Sequence, residues 1–206
     1  EELQAKADGY LSAPDLPELF ELILSRWDED FGSEDEHTDL VKEAMCMIAC
    51  SRYGLSEGEL LNLLGNEDGP LPHRYWSPLY LAAEQSLSIN AGLLNFGHAY
   101  LREAVNERWL SDEEPVNTYH LRLADYFDKQ ETGPRKAGEL PWQLKAIGEN
   151  GRLKQCLLNI PLVLELRERD VAEVLHYWLW LDERDKMGAA YLESFREFVL
   201  LDFSEN

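Results

Sequence analysis

The chain is predicted to be mainly α: a winged helix-turn-helix with a small two-stranded hairpin, followed by an antiparallel helical array. Three observations predict this. A single hairpin signature sits among helical periodicities, in Ser86 to Phe96. Helix-capping motifs recur at Asp15, Ser56 and Ser111. Beyond Leu110 every apolar pattern has helical spacing.

The hairpin belongs to the stretch Ser86 to Leu110, SLSINAGLLNFGHAYLREAVNERWL. Leu87 and Ile89 alternate with Ser86 and Ser88, Asn90-Ala91-Gly92 tolerates a turn, and Leu93, Leu94 and Phe96 return. A helix is expected from Gly97 or His98, with Leu101, Ala104 and Val105 inward. His98 therefore stands where a strand hands over to a helix N-terminus. It is either packed in that corner or the one polar side chain placed for a task.

Earlier in the chain, Glu1 to Leu11 reads as the tail of a helix stopped by Ala13-Pro14. Asp15-Leu16-Pro17-Glu18 opens another, with an N-cap acid, a first-turn proline and a glutamate at the capping-box position. Its expected face is Leu16, Leu19, Phe20, Ile23 and Trp27, and Gly32 ends it. Val41, Ala44, Met45 and Ile48 mark the next helix, which stops near Tyr53-Gly54. Ser56 and Glu59 form a capping box for a short one that buries Leu60, Leu61, Leu63 and Leu64. After a polar loop over Asn66 to Pro72, Ser77-Pro78 is expected to open a third helix running to Glu84. Three helices and a two-stranded wing give the winged-helix expectation.

Beyond Leu110, Ser111, Glu114 and Pro115 open a helix with Val116, Tyr119, His120, Leu123, Tyr126 and Phe127 on its face. Gly133-Pro134 breaks it. A short helix over Glu139 to Leu144, one from Gly151, one striped by Val171, Val174, Leu175 and Trp178, and a last one striped by Tyr191, Phe195 and Val199 follow. His120 and His176 fall on apolar stripes and are expected to be packed. The expected organisation is 1–33 as a helical bridge, 34–110 as the winged helix and 111–206 as a helical domain leading to repeats, although no clean period of about 34 residues is visible.

Composition narrows the function. The 206 residues carry 19 basic and 40 acidic side chains, a net charge of −21. Nucleic-acid binders need lysines and arginines against phosphates, and the SPLYLAAEQ stretch expected to be the reading helix has no basic residue, so no nucleic-acid partner is expected. No apolar run approaches the roughly 20 residues that cross a bilayer. Three cysteines, two of them at C-x-x-x-C spacing in an apolar run, point to core packing and a reducing, cytoplasmic compartment. The chain begins with Glu1, mid-helix by pattern, and is expected to be a piece of something larger. Neither a phosphate loop, a dinucleotide fingerprint, a nucleophile elbow nor an H-E-x-x-H helix occurs, so no catalytic residue and no metal ligand is expected.

LPELFELILSRWDEDFG (16–32), SRYGLSEGELLNLLG (51–65), WSPLYLA (76–82), GLLNFGHAYLREAVNERWL (92–110), YHLRLADYF (119–127), ELPWQL (139–144) and VLHYW (174–178) together resemble the region after the ATPase core of NACHT-type STAND signalling proteins, of the nephrocystin-type and telomerase-associated-protein-like group. The resemblance implies a regulatory segment that closes over a nucleotide pocket in the ADP state and relays exchange to oligomerisation. It implies His98 as the contact to the ADP β-phosphate, no cofactor in this stretch, and ADP or ATP with Mg in the intact parent. Its partners would be the parent's own ATPase domain and sensor repeats, with a homo-oligomer on activation. Where relatives often have an acid after that histidine this chain has Ala99, so any locking contact that acid would make is missing here or supplied elsewhere. The other expectation is an acidic helical protein–protein interaction scaffold with no nucleotide contact.

Overall fold

The computed structural model describes residues 13–32 and 39–204, side chains at 201–204 excepted. The helix expected over Glu1 to Leu11 and the 33/34 boundary lie outside the described residues. Two compact units divide the chain between Tyr119 and His120. Among the described residues there are eleven α-helices and one two-stranded sheet.

In the first unit the hairpin forms as its turn chemistry dictates. Strand β1 (Leu87–Asn90) pairs antiparallel with β2 (Leu93–Phe96), Leu87 opposite Phe96 and Asn90 opposite Leu93. Ala91 and Gly92 between them have φ of 50° and 81°, the left-handed pair that a two-residue hairpin loop needs to match strand twist. Leu55 extends the pairing by one residue: its N–H donates to the Leu94 carbonyl at 3.1 Å and its carbonyl accepts from the Leu94 N–H at 2.7 Å.

Around this hairpin lie α1 (Leu16–Phe31), α2 (Leu40–Cys50), α3 (Glu57–Leu64), α4 (His73–Ala83) and α5 (Ala99–Trp109). Asp15 caps α1 by accepting from the Glu18 N–H at 3.0 Å. The buried face of α1 is Phe20, Leu24 and Trp27; of the expected stripe, Leu16 is exposed and Leu19 and Ile23 are half-buried. Helix α2 buries eight of its eleven residues, as a helix apolar nearly all round must. The capping box of α3 is complete, Ser56 and Glu59 each accepting the other's backbone N–H. Helices α2, α4 and α5 pack against α1.

Helix α4 begins at His73, not at Ser77. Pro72, with fixed extended geometry, starts it, and Pro78 sits inside, where it forfeits one backbone bond at a cost of about 3 kcal/mol. Complete burial of Trp76 and Leu79 on either side of that proline offsets the loss. His73 and Arg74 are consequently in the first turn of this helix, where sequence reading placed them before it.

Helix α6 (Glu113–Asp128) spans the division. In the second unit its residues Leu123, Ala124 and Phe127 are buried with α7 (Pro134–Ala146), α8 (Asn150–Leu158), α9 (Ile160–Arg169), α10 (Val171–Trp180) and α11 (Met187–Ser204). Helix α7 is a full 13 residues, longer than expected, and it accommodates Pro141 internally. Helix α9 is an element the periodicity did not separate. It packs on α7, α8 and α10.

Candidate functional site

Helices α9, α10 and α11 are positioned by short caps. Asn159 accepts from the Leu162 N–H at 3.0 Å with Pro161 in the first turn, and Asp170 accepts from the Ala172 N–H at 2.8 Å. These caps leave almost no linker, so α8, α9 and α10 follow one another within single residues. Asp182, at φ 55°, then turns the chain through a 3₁₀ segment, Arg184–Lys186, into α11.

The inner faces are closed. Leu162, Leu166, Tyr177 and Trp178 are buried, and the buried carboxylate of Glu173 accepts from the Tyr177 hydroxyl at 2.7 Å and pairs with Arg169. The Trp178 indole N–H donates to the Tyr191 hydroxyl at 2.9 Å, with the rings edge to face at 5.6 Å, which ties α10 to α11. Burial pushes the Tyr191 hydroxyl above its ordinary pKa, and the indole bond opposes this. Tyr191 is thus a neutral acceptor at neutral pH.

The outer faces are open. An apolar groove of about 910 Å³ runs between the three helices, lined by Ile160, Val163 and Leu164 of α9, Val171 and Leu175 of α10, and Leu192 and Phe195 of α11, among others. Leu164 is 48% exposed, Val171 65%, Leu192 54% and Phe195 53%, values that place large apolar side chains in water. Arg167 is the charged residue of the lining, and no carboxylate of the described residues pairs with it. The expected buried stripes at Val171 and Phe195 are therefore corrected: they form this open surface. His176, expected to be packed, is exposed. His120 is buried, as expected.

His98 lies in the first unit as the N-cap of α5, with extended backbone (φ −131°, ψ 135°) and no capping bond from its side chain. It is exposed, and its ring centroid is 6.0 Å from that of Phe20. Sequence reading placed Val171, Val174, Leu175, Tyr191 and Phe195 of this lining on inward stripes and had no signal for Ile160, Val163, Leu164, Leu192 or Arg167; the Asn159-Ile160-Pro161 cap, which begins a helix apolar on two faces, was the available clue. Among the described residues no group of three or more His, Cys, Asp or Glu could hold a metal ion, and no helix is long and apolar enough to cross a membrane.

An acidic, mainly helical chain with an uncovered apolar groove is the class these features define. Its relatives are longer proteins, some of them named for tetratricopeptide repeats. The chain is 30% identical to mouse nephrocystin-3 over 207 residues, covering 95% of this chain and 15% of that protein. Rat tetratricopeptide repeat protein 41 is 30% identical over 173 residues, 68% of this chain and 13% of the relative, and a TPR repeat-containing protein of Dictyostelium discoideum is 24% identical over 188 residues, 90% and 11%. The chain thus spans about a seventh of the length of the curated relatives it matches. No family model and no solved structure matches.

These matches correct the NACHT-type STAND resemblance. The similar proteins are nephrocystin-3 and tetratricopeptide repeat proteins, and nothing found ties the chain to an ATPase family. The nephrocystin-type part of the resemblance is the part the matches share.

Proposed function

We propose that this chain is a helical protein–protein interaction segment of a tetratricopeptide-type scaffold, and that its second unit presents the interaction surface. The observation that carries the reading is the open apolar groove on α9, α10 and α11, since contiguous exposed apolar surface of this kind marks sites that meet other proteins. Relatives named for tetratricopeptide repeats support it, because stacked helical repeats bury apolar faces against neighbouring helices. The ATPase partner, the oligomerisation relay and the ADP or ATP contact of His98 came with the corrected resemblance and form no part of the proposal.

Within the first unit we assign a winged helix. Support comes from the element order α2, the bridging residue Leu55, α3, α4, hairpin and α5, in which Leu55 joins the hairpin as a third short strand. Its wing and helices serve here as a packed platform.

A displayed library of helical peptides, selected against the 206-residue chain and in parallel against Phe195→Asp, tests the function. Phe195 is exposed, so the variant keeps its far-UV circular dichroism. Peptides enriched on the parent chain and lost on the variant are expected. Equal recovery on both would overturn the reading.

A further inference from the structure

We infer that the occupant of this groove is an amphipathic helix of another protein that brings a carboxylate to Arg167, and that the groove does not serve self-association. The inference rests on the scaffold reading and names the partner's chemistry.

Three features carry it. The groove is an open trough between three helices with large apolar residues along each, the surface into which a helix lays a stripe spaced i, i+3, i+4 and i+7. Arg167 is exposed and is the charged side chain of that lining, with no acid of the described residues on it, whereas Arg108 is paired with Glu21 and Asp28, Arg152 with Asp125 and Asp128, and Arg169 with Glu173. A guanidinium at the edge of an apolar surface is poised for bidentate pairing with a carboxylate that arrives with the ligand, and such a charge fixes register and orientation along an otherwise uniform apolar stripe. The third feature is the net charge of −21, which sets two copies of this chain against each other. The partner is therefore neutral or basic overall, with its acid confined to the position facing Arg167.

Synthetic helical peptides test this by fluorescence anisotropy. One series carries a leucine stripe with a glutamate at each position flanking it in turn, and a matched series carries lysine there. Against the whole chain, one glutamate register is expected to bind about tenfold tighter than its lysine counterpart, with the preference shrinking as salt is raised. Arg167→Glu is expected to reverse the preference, and Phe195→Asp to abolish binding of both series. Loss of binding in Phe195→Asp together with no glutamate preference, or with a preference unchanged in Arg167→Glu, overturns the inference while leaving the scaffold reading intact. Binding unaffected by Phe195→Asp overturns both. Sedimentation of the chain as a dimer that Phe195→Asp dissolves would show a second copy in the groove and also overturn the inference.

Discussion

Arg108 of α5 reaches across to Asp28 of α1, its Nη2 donating to Oδ2 at 2.8 Å, while Nη1 donates to Ser25 Oγ at 2.8 Å and to Glu21 Oε2 at 3.1 Å. One guanidinium thus holds three groups of the neighbouring helix. Burial raises the Asp28 carboxyl above its ordinary value, and Arg108 only partly offsets this. A carboxyl held that way binds its proton more tightly in the fold, so the stability it contributes at low pH is lost as pH rises through its folded value. Arg108→Ala should therefore cost about 1–2 kcal/mol at neutral pH, a modest figure because the groups are about a third exposed, and Asp28→Asn should cost less. Urea denaturation of the two variants checks the order; a larger loss for Asp28→Asn would refute it.

Two glycines in the left-handed region should respond unequally to the same substitution. Gly54 has φ 89°, and a Cβ there would sit 2.3 Å from the Leu94 carbonyl oxygen, the acceptor for the Leu55 N–H. Gly92 has φ 81° but open space around it. Gly92→Ala meets only the backbone cost, about 1 kcal/mol. Gly54→Ala adds a clash with main chain that cannot swing aside, and about 2–4 kcal/mol is expected. Equal midpoints in thermal denaturation would mean that the Leu55 bridge contributes nothing.

What the sequence made legible follows from how local each determinant is. The hairpin and the Ser56 capping box depend on residues within a few positions of each other, and both stand where expected. Pro78 misled because its effect on α4 is set by Trp76 and Leu79, whose burial comes from distant elements. The groove was hidden for a related reason. Periodicity reveals that Val171, Leu175 and Phe195 lie on apolar helix faces, but whether another helix covers those faces is a tertiary fact. His98 was legible as the cap of α5, while its role rested on a resemblance and not on its own chemistry.

The cysteines should be chemically quiet. Cys46 and Cys50 are buried in α2, and burial pushes both thiols, and that of Cys156, up to about 12. At pH 8 the thiolate fraction is then about one in ten thousand, and alkylation requires the thiolate. Iodoacetamide should label Cys46 and Cys50 only after denaturant is added, as read by intact mass. Labelling of either within minutes in native buffer would contradict the packing of α2.

Acid should weaken the second unit through His120. Its Nδ1–H lies 2.6 Å from Gln143 Oε1, the Gln143 amide donates to Glu139 at 3.1 Å, and the ring meets Trp142 edge to face. Burial lowers the His120 pKa below 6.5, opposed by the Gln143 bond and the Glu139 charge. The unfolded chain therefore binds a proton that the folded chain refuses, between the lowered folded value and about 6.5. Stability falls as pH falls through that window, and this component is flat above it. His120→Asn keeps a donor near Nδ1 and removes the titration, so the urea midpoint of the variant should drop less than that of the parent between pH 7.5 and pH 5. An imidazole proton resonance for His120 titrating at or above 6.5, or identical pH slopes for parent and variant, would show that the ring is not held neutral by its burial.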